Sequence, residues 1–203
     1  MKAKIFTLFF LTFFNAFYSQ ESKQDLSLGF YYGFGKNILE EDYFYESNYY
    51  KVQLSYLIKE SKHFEYELFV QPELNFVKHK LLNLDYIGVE EPNYIEKREE
   101  FGRLKHIKDY ILNLGIIVRK PISDNCSVFV LASIGPMITD TETERLSKGF
   151  AFSSVLSLGV SLKVSPFVFE LRPNFNHISN AGLQKNNNGF SIFNLEFGFK
   201  IPL

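Results

Sequence analysis

The C-terminal stretch FNLEFGFKIPL (residues 193–203) alternates between two kinds of side chain. Large apolar residues occupy the odd positions, and asparagine, glutamate, glycine, lysine and proline occupy the even ones. Because successive side chains of a β-strand point to opposite faces, this pattern predicts a strand with one apolar and one polar face. The apolar face is unbroken up to Leu203, which is typical of the last strand of a membrane β-barrel.

The same period of two recurs along most of the chain. We count about eight alternating segments, the smallest usual number of strands for an outer-membrane β-barrel. They lie at residues 26–34, 50–58, 64–76, 110–118, 128–134, 156–164, 167–175 and 193–203.

The connections between these segments have two lengths. Residues 59–62, 120–125 and 165–166 are predicted tight turns, whereas residues 36–49, 79–106 and 139–149 are predicted long loops and residues 180–189 are intermediate. Short turns at one rim and long loops at the other are the layout of an all-β, eight-stranded antiparallel outer-membrane β-barrel. If both termini are periplasmic, the long loops face the cell exterior.

Alternation alone leaves two kinds of barrel open. A lipocalin-type lipid carrier keeps its apolar face inside, whereas a membrane barrel turns it outward and pairs every backbone group within the closed sheet. The polar face here carries long side chains of both signs, which could pair across a narrow interior and therefore favour the membrane barrel. These side chains are Glu65, Glu67, Glu73, Arg119, Glu170, Arg172 and Lys200.

Composition and the N-terminus predict where the chain resides. A formal net charge of −1 offers no basic field, so no nucleic-acid partner is expected. Lys2 and Lys4 precede an apolar run at residues 5–14, which predicts a signal peptide at residues 1–19 and one barrel domain at 20–203 in the outer membrane. A buried N-terminal helix and an anchoring helix are the alternatives. Cys126 is the only cysteine, so no intrachain disulfide can form.

The end of the seventh segment carries the candidate chemistry, in the stretch FNHISNAG (residues 175–182). His177 and Ser179 share the parity of Phe175, so all three are predicted to face lipid near the outer rim. Two residues along a strand span about 6.6 Å, a gap that a histidine nitrogen and a serine oxygen can bridge. Polar groups facing lipid are costly unless paired, which suggests a function. The alternative is an interfacial histidine followed by a Ser-Asn turn.

The letters HISNAG resemble the His-x-Ser-Asn-Ala-Gly signature of the lipid A 3-O-deacylase family, the PagL-type acyloxyacyl hydrolases. The resemblance extends over the preceding strand, the following turn and the last strand. It implies an eight-stranded outer-membrane barrel that hydrolyses an ester-linked 3-hydroxyacyl chain of lipid A. The implied partner is lipopolysaccharide in the outer leaflet of the membrane, and no metal or cofactor is implied.

The resemblance also implies roles for individual residues. Ser179 matches the family's nucleophile, and His177 matches the base that takes its proton and returns it to the leaving sugar hydroxyl. The side chain of Asn180 and the backbone N–H groups of Ala181 and Gly182 match the family's oxyanion hole.

One family residue is missing from this sequence. The family orients its histidine with a glutamate on the next strand, and Ser191 stands at the matching position. The nearest acids in sequence, Glu170 and Glu196, have the parity that points inward. Loss of a triad acid costs several decades in rate but leaves residual activity. The chain is therefore expected to be a lipid A deacylase-like esterase of the outer membrane, slowed by the missing acid. A non-catalytic structural or adhesion barrel is the first alternative and a lipocalin-type carrier the second, and a homodimer is left open.

Overall fold

The computed structural model describes residues 25–38 and 40–203, so the predicted signal peptide lies outside the described residues. Each predicted strand forms, and together they close into one antiparallel barrel in which β1 also pairs with β8. The fold class predicted from the sequence is therefore confirmed. The strands are β1 (Leu26–Asn37), β2 (Tyr43–Glu60), β3 (Glu65–Leu81), β4 (Lys105–Pro121), β5 (Cys126–Thr139), β6 (Gly149–Val164), β7 (Phe167–Ser179) and β8 (Phe190–Pro202).

The apolar face of the strands points away from the barrel axis, and the polar face fills the lumen. Leu158 is 67% exposed and Phe197 is 48% exposed, whereas Arg172 is 0% and Glu196 is 2% exposed. An aqueous protein does not leave such a continuous apolar wall uncovered. This arrangement is that of a membrane barrel, and a lipocalin-type carrier with an apolar interior does not fit it.

Charged side chains pair across the lumen as the sequence predicted. Arg172 contacts Glu196 through its Nη1 atom at 3.0 Å and also donates to Glu170. Arg119 bridges Glu67 at 2.9 Å and Glu170 at 2.7 Å. Because a buried charge is strongly destabilising unless it is paired, these contacts explain why both signs occur on the inward face.

The interior becomes apolar towards the rim that carries the long connections, here called the long-loop rim. A cluster of buried apolar side chains lies there, and Ile178, Phe190 and Ile192 contribute to it from the adjoining ends of β7 and β8. Because they point inward, the residues that alternate with them must point outward. The whole cluster comprises Tyr43, Tyr45, Val77, Ile107, Ile111, Met137, Leu146, Ala151, Ile178, Phe190 and Ile192.

The predicted long loop at residues 36–49 is wrong, because β1 extends to Asn37 and β2 begins at Tyr43. Tyr45 is buried inside the barrel at this level, whereas Glu46 and Asn48 are exposed on its outer face. The polarity of the two faces is thus the reverse of that in the apolar belt. Because Glu46 and Asn48 interrupt the outward apolar parity, the sequence pattern does not reveal that β2 continues here.

The other long connections carry structure of their own. The connection from β3 to β4 contains a 3₁₀ turn at Leu84–Tyr86 and helix α1 at Tyr94–Phe101, which packs Phe101 against Leu81 and Ile87. No helix in the described part of the chain is long and apolar enough to cross a membrane. The connection from β5 to β6 folds into the mouth of the barrel, where residues 143–146 are buried.

Candidate functional site

His177 and Ser179 occupy the outward face of β7 at the long-loop rim. Ile178 between them is 1% exposed and points into the apolar cluster, whereas His177 is exposed and Ser179 is half-buried. The structure therefore places an imidazole and a hydroxyl two residues apart on the same outer wall. Within the described residues, the two side chains are not hydrogen-bonded to each other in this structure.

Ser191 lies directly opposite His177 on β8. The two residues are register partners, and the His177 Nδ1 atom lies 3.1 Å from the Ser191 Oγ atom. This contact leaves Nε2 as the ring nitrogen without a partner among the described residues. For Nε2 to accept a proton, Nδ1 must carry a hydrogen and donate it to Ser191. A hydroxyl can donate as well as accept, so Ser191 permits this tautomer without imposing it.

The two nearest acids in sequence lie inside the barrel, as their parity predicted. Glu170 and Glu196 are buried on the opposite side of the sheet and form ion pairs with Arg172. Neither carboxylate reaches the outer face. In the described part of the chain, the only hydrogen-bond partner of His177 outside the strand ladder is therefore the neutral Ser191.

The turn after β7 is built around the side chain of Asn180, which is 0% exposed. Its Nδ2 atom donates to the Asn186 carbonyl at 2.7 Å, and its Oδ1 atom accepts from the Gly182 N–H at 3.1 Å. The Asn180 N–H donates to the Asn187 side chain at 2.7 Å. The donors of Asn180 and Gly182 are thus engaged within the turn.

The N–H of Ala181, which lies between these two residues, is not engaged in this way. It has no acceptor among the described residues, and Ala181 is exposed beside Ser179. Ala181 adopts a left-handed conformation with φ of 54°, which an alanine takes only when its surroundings hold it there. The Asn180 contacts on either side supply that constraint.

Gly189 closes the turn against Ser179. It has a φ of +65°, and a Cβ atom on it would lie 2.2 Å from the Ile178 carbonyl oxygen and 3.3 Å from the Ser179 Cβ. Only glycine fits this close approach, because any side chain would collide with the β7 backbone. The last residue of the turn therefore lies close to Ser179.

Aromatic side chains flank the polar site on the outer wall. Phe175 on β7 and its register partner Phe193 on β8 lie on the side of the site that faces the middle of the barrel. Phe152 on β6 is the register partner of Ser179. Ser154, the register partner of His177 on β6, also faces outward and was missed. Its parity, shared with the apolar positions of the sixth segment, was the signal that could have found it.

Comparison with known proteins gives a family match over part of the chain and a likeness in fold to solved structures. Residues 101–200 match the family described as "Lipid A 3-O-deacylase (PagL)". The crystal structure of the outer membrane enzyme PagL is similar with a TM-score of 0.51 and 14% identity, covering 86% of this chain and 99% of that one. The structure of Neisserial surface protein A (NspA) is similar with a TM-score of 0.52 and 13% identity, covering 88% and 97%. No curated protein sequence matches the chain.

At these identities the structural likeness concerns the fold, which is that of outer-membrane β-barrels. The family match is a match in sequence, and it spans β4 to β8 with the HISNAG motif and the turn after it. The resemblance of this chain to the lipid A 3-O-deacylase family is therefore confirmed over residues 101–200.

Proposed function

We propose that this chain is an outer-membrane esterase that hydrolyses an ester-linked 3-hydroxyacyl chain of lipid A in the outer leaflet. The observation that carries the proposal is that His177 and Ser179 share the outward face of β7 at the long-loop rim and are followed by the exposed Ala181, whose N–H has no acceptor among the described residues. These groups are a base, a nucleophile and an oxyanion donor, the parts that ester hydrolysis requires. Export by the predicted signal peptide, residues 1–19, belongs to the same proposal.

The reaction proceeds in two halves. The Ser179 Oγ attacks the ester carbonyl carbon while His177 Nε2 takes the hydroxyl proton, and the carbonyl oxygen becomes an oxyanion that accepts from the Ala181 N–H. His177 then returns the proton to the sugar oxygen as the C–O bond breaks, which leaves the acyl group on Ser179. A water molecule, deprotonated by His177, attacks this acyl-enzyme, and His177 returns that proton to the Ser179 Oγ as its bond to the acyl group breaks and the free 3-hydroxy fatty acid leaves.

The three turn residues contribute to oxyanion stabilisation in different ways. Ala181 supplies the donor, because its N–H has no acceptor within the described chain. Asn180 and Gly182 hold the turn in the shape that presents this N–H, since their own donors are engaged at 2.7 Å and 3.1 Å. Ser191 orients His177 in place of the family's glutamate.

The position of the site suits a substrate that arrives from the membrane. Phe175, Phe193 and Phe152 flank the polar groups, so an acyl chain can lie on the apolar wall while the sugar stays at headgroup depth. The lumen is filled by ion-paired side chains such as Arg172 and Arg119. Lipid A therefore approaches laterally, from the leaflet that already contains it.

The second candidate function is a non-catalytic outer-membrane barrel. It is favoured by one observation, the neutral Ser191 at the position of the family's glutamate. A chain that kept the fold and lost the charge would retain its place in the membrane without turnover.

Mass spectrometry of lipid A distinguishes the two functions. Cells that express the chain should contain lipid A lacking one 3-hydroxyacyl chain, together with free fatty acid. Ser179→Ala should abolish this change, whereas Ser123→Ala should preserve it. Ser123 is a matched control, because it is an exposed serine in the short turn between β4 and β5, at the opposite rim of the barrel. Identical lipid A in cells with and without the chain, at equal amounts of heat-modifiable folded barrel, would refute the esterase.

A further inference from the structure

The turn that carries the candidate oxyanion donor is fastened to the connection between β5 and β6. Both backbone groups of Gly189 bond to Arg145, because the Gly189 N–H donates to the Arg145 carbonyl at 3.1 Å and the Arg145 Nε donates to the Gly189 carbonyl at 2.8 Å. The Gly189 backbone in turn lies close to Ser179, since a Cβ atom on Gly189 would be 3.3 Å from the Ser179 Cβ. Arg145 is therefore linked to the candidate nucleophile through a single residue, Gly189, although it lies 34 positions before Ser179 in the sequence.

Further contacts join the same two segments. Asn186 donates through Nδ2 to the Thr143 carbonyl at 3.1 Å, and its N–H donates to the Ser147 hydroxyl at 3.1 Å. Leu146 forms an isolated β-bridge with Asn187. Asn186 is also the residue whose carbonyl accepts from the Asn180 side chain. The scaffold of the turn thus continues into the residues around Arg145.

Arg145 is itself held firmly in the mouth of the barrel. Its guanidinium lies over the rings of Tyr43 and Tyr86, with its carbon 4.7 Å and 5.5 Å from their centroids, and its Nη2 atom pairs with Glu40 at 2.7 Å. The preceding residue, Glu144, is buried and meets the His79 Nε2 atom at 2.9 Å. A planar guanidinium can stack, pair and donate at the same time, which a lysine ammonium cannot do in the same geometry.

We propose that Arg145 is a positioning residue for the esterase site, acting through Gly189 on Ser179 and the Ala181 N–H. The inference rests on the proposed function for its effect on catalysis, but its structural part stands without it. The guanidinium fixes Gly189, Gly189 closes the turn on Ser179, and the closed turn aims the oxyanion donor. The aimed N–H stabilises the oxyanion of the transition state and contributes little to binding of the lipid. Loss of the fixed turn therefore lowers kcat and leaves KM nearly unchanged.

The test combines kinetics with hydrogen exchange on the folded protein in detergent micelles. Arg145→Gln should lower kcat on lipid A by roughly 100-fold with little change in KM, since a misplacement of about 1 Å costs a factor of this size. Arg145→Lys should not rescue kcat, because lysine restores the charge beside Glu40 but not the directed bond to Gly189. Arg103→Gln is the matched control, an exposed arginine paired with Glu99 on another connection.

Hydrogen exchange supplies the readout that does not depend on turnover. Amides of residues 180–189 should exchange about tenfold faster in Arg145→Gln than in the wild type, at equal heat-modifiable migration. If kcat and the exchange of these amides are both unchanged in the Gln and Lys variants, the inference is overturned. If the wild type releases no fatty acid, the proposed function fails, and the exchange rates alone decide whether Arg145 holds the turn.

Discussion

Ser191 offers the sharpest test of how this site works. Its hydroxyl lies 3.1 Å from His177 Nδ1, and the family resemblance matches Ser191 to the glutamate that orients the histidine. A hydrogen bond between neutral groups contributes about 0.5–1.5 kcal/mol, whereas one to a charged group contributes about 1.5–3 kcal/mol. At about 1.36 kcal/mol per tenfold in rate, these ranges correspond to factors of about 2–13 and about 13–160.

Three variants of Ser191 follow from these magnitudes. Ser191→Ala should lower kcat/KM on lipid A by about 2- to 13-fold, because His177 loses the hydroxyl that orients its ring. Ser191→Glu should raise kcat/KM above the wild type by about tenfold, because a carboxylate can only accept and so imposes the tautomer that frees Nε2, and it also stabilises the imidazolium. Ser191→Gln is the matched control, with the size of glutamate but no charge, and should give no gain.

The assay is release of 3-hydroxy fatty acid from purified lipid A in mixed micelles, with equal amounts of heat-modifiable barrel for each variant. Equal rates for the Glu and Gln variants would show that charge at this position plays no part. An Ala variant as fast as the wild type would show that the Ser191 contact does not orient His177. Either result would refute the assignment of Ser191 as the third member of the site.

Three further outcomes concern the barrel that supports the site. Arg172→Ala should lower the unfolding free energy, measured by urea titration in micelles, by about 3–5 kcal/mol, because Glu170 and Glu196 lose their buried partner; an unchanged midpoint would contradict this. Gly189→Ala should abolish fatty acid release while the barrel remains heat-modifiable, since its Cβ would collide with the Ile178 carbonyl, and full activity would contradict the packing of the turn on Ser179. Cys126 lines a cavity of about 340 Å³ at the rim with the short turns. It should therefore react with a bulky polymer-linked maleimide only after the outer membrane is permeabilised, and labelling of intact cells would reverse the assigned orientation.

The alternation of side chains was sufficient to predict the barrel and the face that carries the site. His177 and Ser179 could be assigned to the outer wall because the parity of Phe175 continues through them, and burial of Ile178 between them follows from the same rule. The inward charges could be expected to pair because a narrow lumen excludes water. These features depend on the local period of the chain, which a single sequence contains.

Other features depend on contacts between distant segments and had no local signal. The sequence pattern predicts a loop at residues 43–49 of β2, because the tyrosines there face inward and polar side chains such as Glu46 face outward. Arg145 stands in a charged, turn-rich connection that resembles a solvated loop, and its burial arises only when residues 143–146 fold into the barrel mouth. The engagement of Asn180 with Asn186 likewise follows from the three-dimensional shape of the turn.

The paired charges inside the barrel also bear on the permeability of the cell envelope. Lys51, Glu196 and Arg172 meet near the centre of the lumen, with the lysine 2.7 Å and the arginine 3.0 Å from the glutamate. A mobile ion would have to break these contacts to pass, so the barrel should act as an electrical insulator in a planar bilayer. A cell can therefore insert many copies of the protein without making its outer membrane permeable to ions or to polar solutes.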